Sequence, residues 1–176
     1  MNPKKPNESK NGATPARAWR ILLLLAIVFL PGCASMQTVV GRLPVPQQSI
    51  PSFGGAKRVV IDKTEQKLRA YDGGQLVFET RVSTGMEGRR TPNGSFRARM
   101  KEPMHYSSLY DNAPMPYSVQ FHGNYFLHGY SVVPDHPASH GCIRLPMNGL
   151  GRNPAKLFYD WVRIGTPIRV TGHWQN

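Results

Sequence analysis

The sequence predicts a mainly β domain, a β-sandwich or distorted barrel, with one helix near the C-terminal end. Short runs of alternating apolar and polar residues recur from Lys57 onward. Breaks rich in Gly, Pro and Asn separate them at close intervals. Only one stretch, from Asn153 to Gly165, carries a helical period with start and stop signals. Many short strands and one late helix favour sheet packed on sheet. At 176 residues the chain accommodates one buried domain with appendages and no internal repeat.

Each element has its own local reason. Arg58 to Asp62 reads as a strand because Val59, Val60 and Ile61 are β-branched. Lys67 to Tyr71 and Gln75 to Phe78 form a hairpin through Asp72-Gly73-Gly74, residues that tolerate the positive backbone angles of a tight turn. Glu79 to Thr84 continues the second strand. Gly85 to Gly94 is a loop ending in Thr91-Pro92-Asn93-Gly94. Ser95 to Met100 is expected as a strand, with Phe96 and Ala98 on one face and Arg97 and Arg99 on the other. Glu102 to Pro114 is polar and aromatic without a period, a candidate lid or groove wall. Pro116 to Phe121 and Asn124 to His128 pair through His122-Gly123. Asn153 caps the helix, Pro154 suits its first position, and Leu157, Phe158, Trp161 and Val162 share an apolar face. Gly165 ends it, and Pro167 to Thr171 is a last strand.

The N-terminus speaks to compartment. Lys4, Lys5, Lys10, Arg17 and Arg20 precede an unbroken apolar run from Ile21 to Leu30. That run is about half of the ~20 residues a membrane-spanning helix requires and has the length of a signal-peptide core. Leu30-Pro31-Gly32-Cys33-Ala34-Ser35 follows and resembles the lipobox of bacterial lipoproteins, in which the cysteine is lipidated; Pro31 is unusual there. The expected organisation is a signal peptide at 1–32, a lipidated Cys33 opening a Pro-rich tether over 33–55, and a folded domain over 56–173. Export to the cell envelope or periplasm follows, with a lipid anchor in a membrane. Ala34 and Ser35 differ from the usual inner-membrane retention signal, which favours the outer membrane in a Gram-negative cell.

The formal net charge of +12 fits attraction to anionic lipid or to a carboxylate-rich cell wall. Nucleic acid is not expected as a partner: no basic stretch is interleaved with aromatics, and zinc-finger spacing is absent. The two cysteines separate cleanly. With Cys33 acylated, Cys142 has no partner in its own chain, and a free thiol in an oxidising compartment needs either burial or a function.

Its neighbours supply the function. His128-Gly129-Tyr130 precedes Ser139-His140-Gly141-Cys142-Ile143-Arg144. A thiol with pKa ~8.5 is mostly protonated at neutral pH, so a nucleophilic cysteine needs an imidazole to take its proton. It also needs a group to orient that imidazole and N–H donors for the oxyanion. Cys142 is the nucleophile candidate, and Gly141 gives a carbonyl close access to main-chain N–H groups. Two histidines compete as base: His140, on the same face of an extended segment, and His128, delivered by tertiary contact. Residue spacing alone leaves both open.

These blocks resemble the signature of the L,D-transpeptidase (YkuD) catalytic domain, a family in which a His-Gly pair precedes a Ser/Thr-His-Gly-Cys block. Ser83-Thr84-Gly85, Thr91-Pro92-Asn93-Gly94, Met115-Pro116-Tyr117 and Gly165-Thr166-Pro167 are similar to family segments in the same order. The resemblance spans about Lys57 to Thr171. It implies a YkuD-like fold, Cys142 as nucleophile, His128 as base and the Gly129 carbonyl as the group orienting it. Ser139 and His140 would shape the site, and N–H groups of Gly141 and Cys142 would form the oxyanion hole. Arg144 would bind a stem-peptide carboxylate, with Tyr117 also at the substrate. The implied reaction needs no cofactor: Cys142 attacks a peptidoglycan stem tetrapeptide, and an amine of another stem, or of an envelope protein, resolves the thioester.

Rival readings remain. Water as acceptor would give a carboxypeptidase or a hydrolase of wall-linked protein. A pocket without activity would give a lipid-anchored wall-binding protein. Zinc hydrolysis is disfavoured, because the histidines show no short ligand spacing and no Glu stands near them as a base. His105, His122, His136 and His173 are read as surface or structural.

Overall fold

The computed structural model describes residues 49–149 and 151–173. The expected signal peptide, the lipidation site Cys33 and the first part of the tether lie outside the described residues. The strands are β1 (Lys57–Asp62), β2 (Lys67–Asp72), β3 (Gln75–Arg81), β4 (Gly94–Arg97), β5 (Lys101–Tyr106), β6 (Pro114–His122), β7 (Tyr125–Tyr130), β8 (Ile143–Pro146) and β9 (Pro167–Thr171). Helix α1 (Pro154–Trp161) lies between β8 and β9. One sheet has the order β3-β2-β1-β9-β4, the other β5-β6-β7-β8. The mainly β expectation holds, in its two-sheet form with a single late helix.

Alternation builds the core. Val59 and Ile61 of β1, Leu68 and Ala70 of β2 and Ile168 and Val170 of β9 turn inward and are buried. From the other sheet come Val119, Phe121, Leu127, Ile143 and Leu145, and from α1 Ala155, Phe158 and Trp161, in the same cluster. Burying a side chain of the Leu or Phe type contributes about 1.5–3 kcal/mol. The β2–β3 turn uses Gly73 and Gly74 at φ 58° and 87°, the left-handed pair that suits a two-residue hairpin. Asn153 caps α1 by accepting the Lys156 N–H at 2.9 Å, with Pro154 at its start.

Two expected strands end early for one reason. Beyond Arg97 the chain leaves β9: Ala98 donates to the Thr166 carbonyl, whereas Arg99 donates to Gln120 and Met100 accepts from Gln120. Beyond Arg81 it does the same, Val82 donating to Gln66 while Ser83 pairs with Arg144. At both places the chain passes from one sheet to the other. Two strands were not expected. β5 reads poorly because it carries Pro103 and charged residues, which an edge strand tolerates. β8 is only four residues long and ends in Pro146.

The last tether residues are docked rather than free. Ile50 is buried in the core cluster. Fully buried Asp72 accepts from Ser52 Oγ at 2.9 Å and from the N–H groups of Phe53 at 3.1 Å and Gly55 at 2.7 Å. Burial alone would push its carboxyl pKa up. The three hydrogen bonds and the charge of Lys57 outweigh that and hold it below the usual value. A depressed carboxylate pKa stabilises the fold above the unfolded value, and that stability is lost as pH falls through the folded one. Asp72→Asn is therefore expected to lower the melting temperature at neutral pH. The gap to the parent should narrow on acidification, as thermal melts across a pH series would show.

Candidate active site

Parallel pairing of β7 and β8 brings the chemistry together. Leu127 pairs with Ile143 and His128 with Arg144. Leu127, Ile143 and Leu145 face the core, so alternation sends Phe126, His128, Cys142 and Arg144 to the opposite face. There they line one cavity of about 600 Å³. Gly129 is where β7 meets Met147 and α1: a Cβ at this position would lie 2.8 Å from Met147 Cγ and 3.1 Å from Ala155 Cβ. The glycine after His128 is thus required by packing.

The turn that presents Cys142 has most of its polar groups engaged. Ser139 Oγ donates to the Cys142 carbonyl in a short contact and accepts the Gly141 N–H at 3.1 Å. The Gly141 carbonyl accepts from Thr91 Oγ1 at 2.7 Å, and Thr91 Oγ1 accepts the Gly85 N–H at 2.9 Å. Lys63 Nζ in turn donates to the Thr91 carbonyl at 3.0 Å. Thr84 and Met86 fasten Ser139 from the side through main-chain bonds. Gly141 has φ 120°, and a Cβ there would lie 2.8 Å from the Tyr125 ring, so no other residue fits. The Gly141 N–H is committed to Ser139, whereas the Cys142 N–H has no acceptor among the described residues.

Electrostatics then set the resting state. His128 is 5% exposed, and its Nδ1 lies 3.0 Å from the Gly129 oxygen. A carbonyl only accepts, so Nδ1 carries the proton and Nε2 keeps its lone pair. Burial pushes the His128 pKa down to about 4; the bond to Gly129 opposes this, and the nearby Arg144 guanidinium adds to it. Cys142 is a free, half-buried thiol whose sulfur lies 3.7 Å from the Asn124 carbonyl. Burial raises its pKa against the N–H of Phe126 and the charge of Arg144. Both shifts disfavour ions, so the pair rests as thiol and neutral imidazole rather than as thiolate and imidazolium.

The other expected residues fall into place around this pair. Arg144 donates to the Ala138 carbonyl at 3.1 Å and lies 4.1 Å over the Tyr130 ring, with no carboxylate partner among the described residues. His140 stacks on Tyr110 at 4.7 Å. Tyr110 belongs to the 107–113 turn, which walls the cavity and is closed by the Ser107 N–H to Ala113 bond. Tyr117 is not among the residues lining the cavity; its ring packs on the core and lies 6.0 Å from Tyr159. His105, read from sequence as surface or structural, does line the cavity, stacked on Phe126. Its chain position carried no signal, since it lies in the segment where β5 went unexpected. Thr91 was legible only as the start of a turn. No group of three or more His, Cys, Asp or Glu side chains among the described residues could hold a metal ion.

A two-sheet β domain with a free thiol and a buried imidazole opening on one cavity carries the two groups that nucleophilic thiol catalysis requires. The chain matches the L,D-transpeptidase catalytic domain (YkuD) over residues 56–170 and belongs to that family. Its structure is similar to an L,D-transpeptidase from Stackebrandtia nassauensis, with 29% identity and a TM-score of 0.61 over 71% of this chain and 60% of that one. It is also similar to an L,D-transpeptidase from Xylanimonas cellulosilytica, with 32% identity and a TM-score of 0.55 over 73% and 64%. A third, LD transpeptidase LdtMt1 in complex with imipenem, is 26% identical with a TM-score of 0.59 over 67% and 60%. The chain thus spans less than two thirds of the length of each of these proteins. No curated protein matches it.

Thr91 holds the turn through one buried hydroxyl that serves both Gly85 and Gly141. Thr91→Val is expected to lower the unfolding free energy by about 1–3 kcal/mol, the cost of leaving buried partners unpaired. Thr91→Ser should recover most of that loss in the same denaturant titration.

Proposed function

We propose that this protein is a lipid-anchored peptidoglycan L,D-transpeptidase. One observation carries the reading: Cys142, just ahead of β8, and buried His128 of the adjacent parallel strand β7 line one cavity, with His128 Nδ1 held by a carbonyl so that Nε2 keeps its lone pair. In the first step His128 Nε2 takes the thiol proton as sulfur attacks the carbonyl after the third residue of a stem tetrapeptide. The tetrahedral oxyanion is met by the Cys142 N–H, the donor its turn leaves open. His128 returns the proton to the leaving amine of the terminal residue, and a Cys142 thioester remains. Ser139 and His140 shape the wall, and Arg144 holds a stem carboxylate with the guanidinium donors that Ala138 does not use. An amine of a second stem, or of an envelope protein, then displaces the thiol.

The anchored location rests on the basic leader, the apolar run and the lipobox-like Cys33. Export through that signal places the domain in the envelope, on the outer membrane in a Gram-negative cell, with the tether spacing it from the lipid.

Incubating the protein with tetrapeptide muropeptides, and separately with imipenem, is expected to add one acyl mass per chain. Cys142→Ala should abolish both adducts, and His128→Gln should slow acylation on the order of 10²–10⁴-fold. Because His128 titrates at about 4, the parent's acylation rate should stay level across the neutral range and fall only as pH approaches that value. An adduct on Cys142→Ala, or a rate that falls in step with an ordinary histidine, would refute the assignment.

A further inference from the structure

One residue lining the cavity, His105, belongs to an acid–base pair that the acylation step does not use. His105 of edge strand β5 lines the cavity together with Cys142 and His128. His105 Nδ1 lies 2.6 Å from Glu102 Oε2, and its Nε2 has no partner among the described residues. The ring stacks on Phe126 at 4.6 Å and 23°, and the Phe126 N–H is the one that meets the Cys142 sulfur.

Residues three apart on a regular strand point to opposite faces, so the contact between Glu102 and His105 marks a local departure from the regular pleat. Glu102 pairs with Ser118 and Met104 with Pro116, which leaves Pro103 opposite Tyr117. Tyr117 has φ 57°, a left-handed conformation that is uncommon for a bulky side chain and tends to mark functional segments. On β6, on either side of Tyr117, Ser118 Oγ donates to the Met115 carbonyl at 2.8 Å.

Resting on the transpeptidase reading, the second half-reaction presents a distinct chemical problem. An acceptor amine arrives as ammonium, without a lone pair to attack the thioester. His128 is already engaged in this half-reaction, carrying a proton between the nitrogen and the Cys142 sulfur, so the extra proton of the ammonium needs a second acceptor. We propose that Glu102 and His105 form the acceptor-side base, and that the His105 end of the cavity is the subsite for a primary ammonium group. His105 Nε2 takes one proton from the ammonium, and Glu102 steadies the imidazolium. The amine nitrogen then attacks the thioester carbon, so a C–N bond forms and the C–S bond breaks. The second nitrogen proton passes through His128 to the departing Cys142 sulfur, and His105 releases its proton to solvent. The net change is thioester plus ammonium to amide, thiol and one proton. The other titratable groups near His105 are His128 on β7, with Arg144 of β8 beyond it; Tyr110, Tyr125, Tyr130, His140 and Cys142 line the same cavity.

The test follows the fate of the thioester. The full chain, acylated by tetrapeptide donor, is offered glycinamide across a pH series, and the ratio of amide to hydrolysed acid is measured by mass spectrometry. His105→Phe keeps a ring against Phe126 without a base and is expected to lower that ratio about tenfold or more at neutral pH. Glu102→Gln should lower it less. In both variants the deficit should close as pH rises toward the pKa of the amine, because free amine then no longer needs the base. A ratio equal to the parent's in His105→Phe, or a deficit that persists at every pH, would overturn the inference. A parent that forms no thioester refutes the transpeptidase reading and this inference with it; a parent that acylates while the variants match its ratio refutes this inference alone.

Discussion

The hydroxyl of Thr91 is the point on which the site depends. It donates to the Gly141 carbonyl and accepts the Gly85 N–H, so one buried oxygen ties the turn carrying Cys142 to the segment that leaves the first sheet. Ser139 closes the same turn from within, and Ser83 ties Arg144 on both sides through main-chain bonds. Buried polar groups left without partners are costly, so such a network has few alternative arrangements. The thiol is therefore positioned by main-chain geometry. Side-chain choice at Cys142 decides chemistry, not shape.

Burial supplies the second constraint. A carboxylate beside the imidazole would have stabilised its cation. Here a carbonyl takes that place, and a carbonyl fixes a ring and its tautomer without providing a full negative charge. The thiol and imidazole are consequently both held toward their neutral forms. A neutral free thiol is also a poorer target for oxidants than a thiolate.

Much of this was legible in the sequence, and the misses share physical causes. The β2–β3 hairpin, helix α1 and β9 were readable because Gly73-Gly74, Asn153-Pro154 and the Ile168/Val170 alternation are local signals. Cys142 and His128 were singled out by their motif, although spacing alone could not choose between His128 and His140. The sheet crossings at 82–83 and 98–100 were read as continuing strands, because their residues keep an extended pattern while their partners change. Edge strand β5 was missed through its proline and charges, and His105 was set aside with it. Tyr117 shows the converse: its place in a motif said nothing of its φ of 57°, and its ring is not among those lining the cavity.

The parallel pairing of β7 with β8 bears on how such a domain can diversify. The chain between them, 131–142, leaves one strand and returns beside it, with its far end held by Thr84, Met86 and Thr91. Residues 131–137 therefore sit on a closed frame whose two posts do not depend on their length. Insertions or deletions there would act on the cavity through the flanking Tyr130 and Ser139, which line it, without shifting His128 against Cys142 by a register step. Selection acting on that excursion could exchange one substrate for another while the reacting atoms kept their places, a separation of recognition from chemistry built into the strand order.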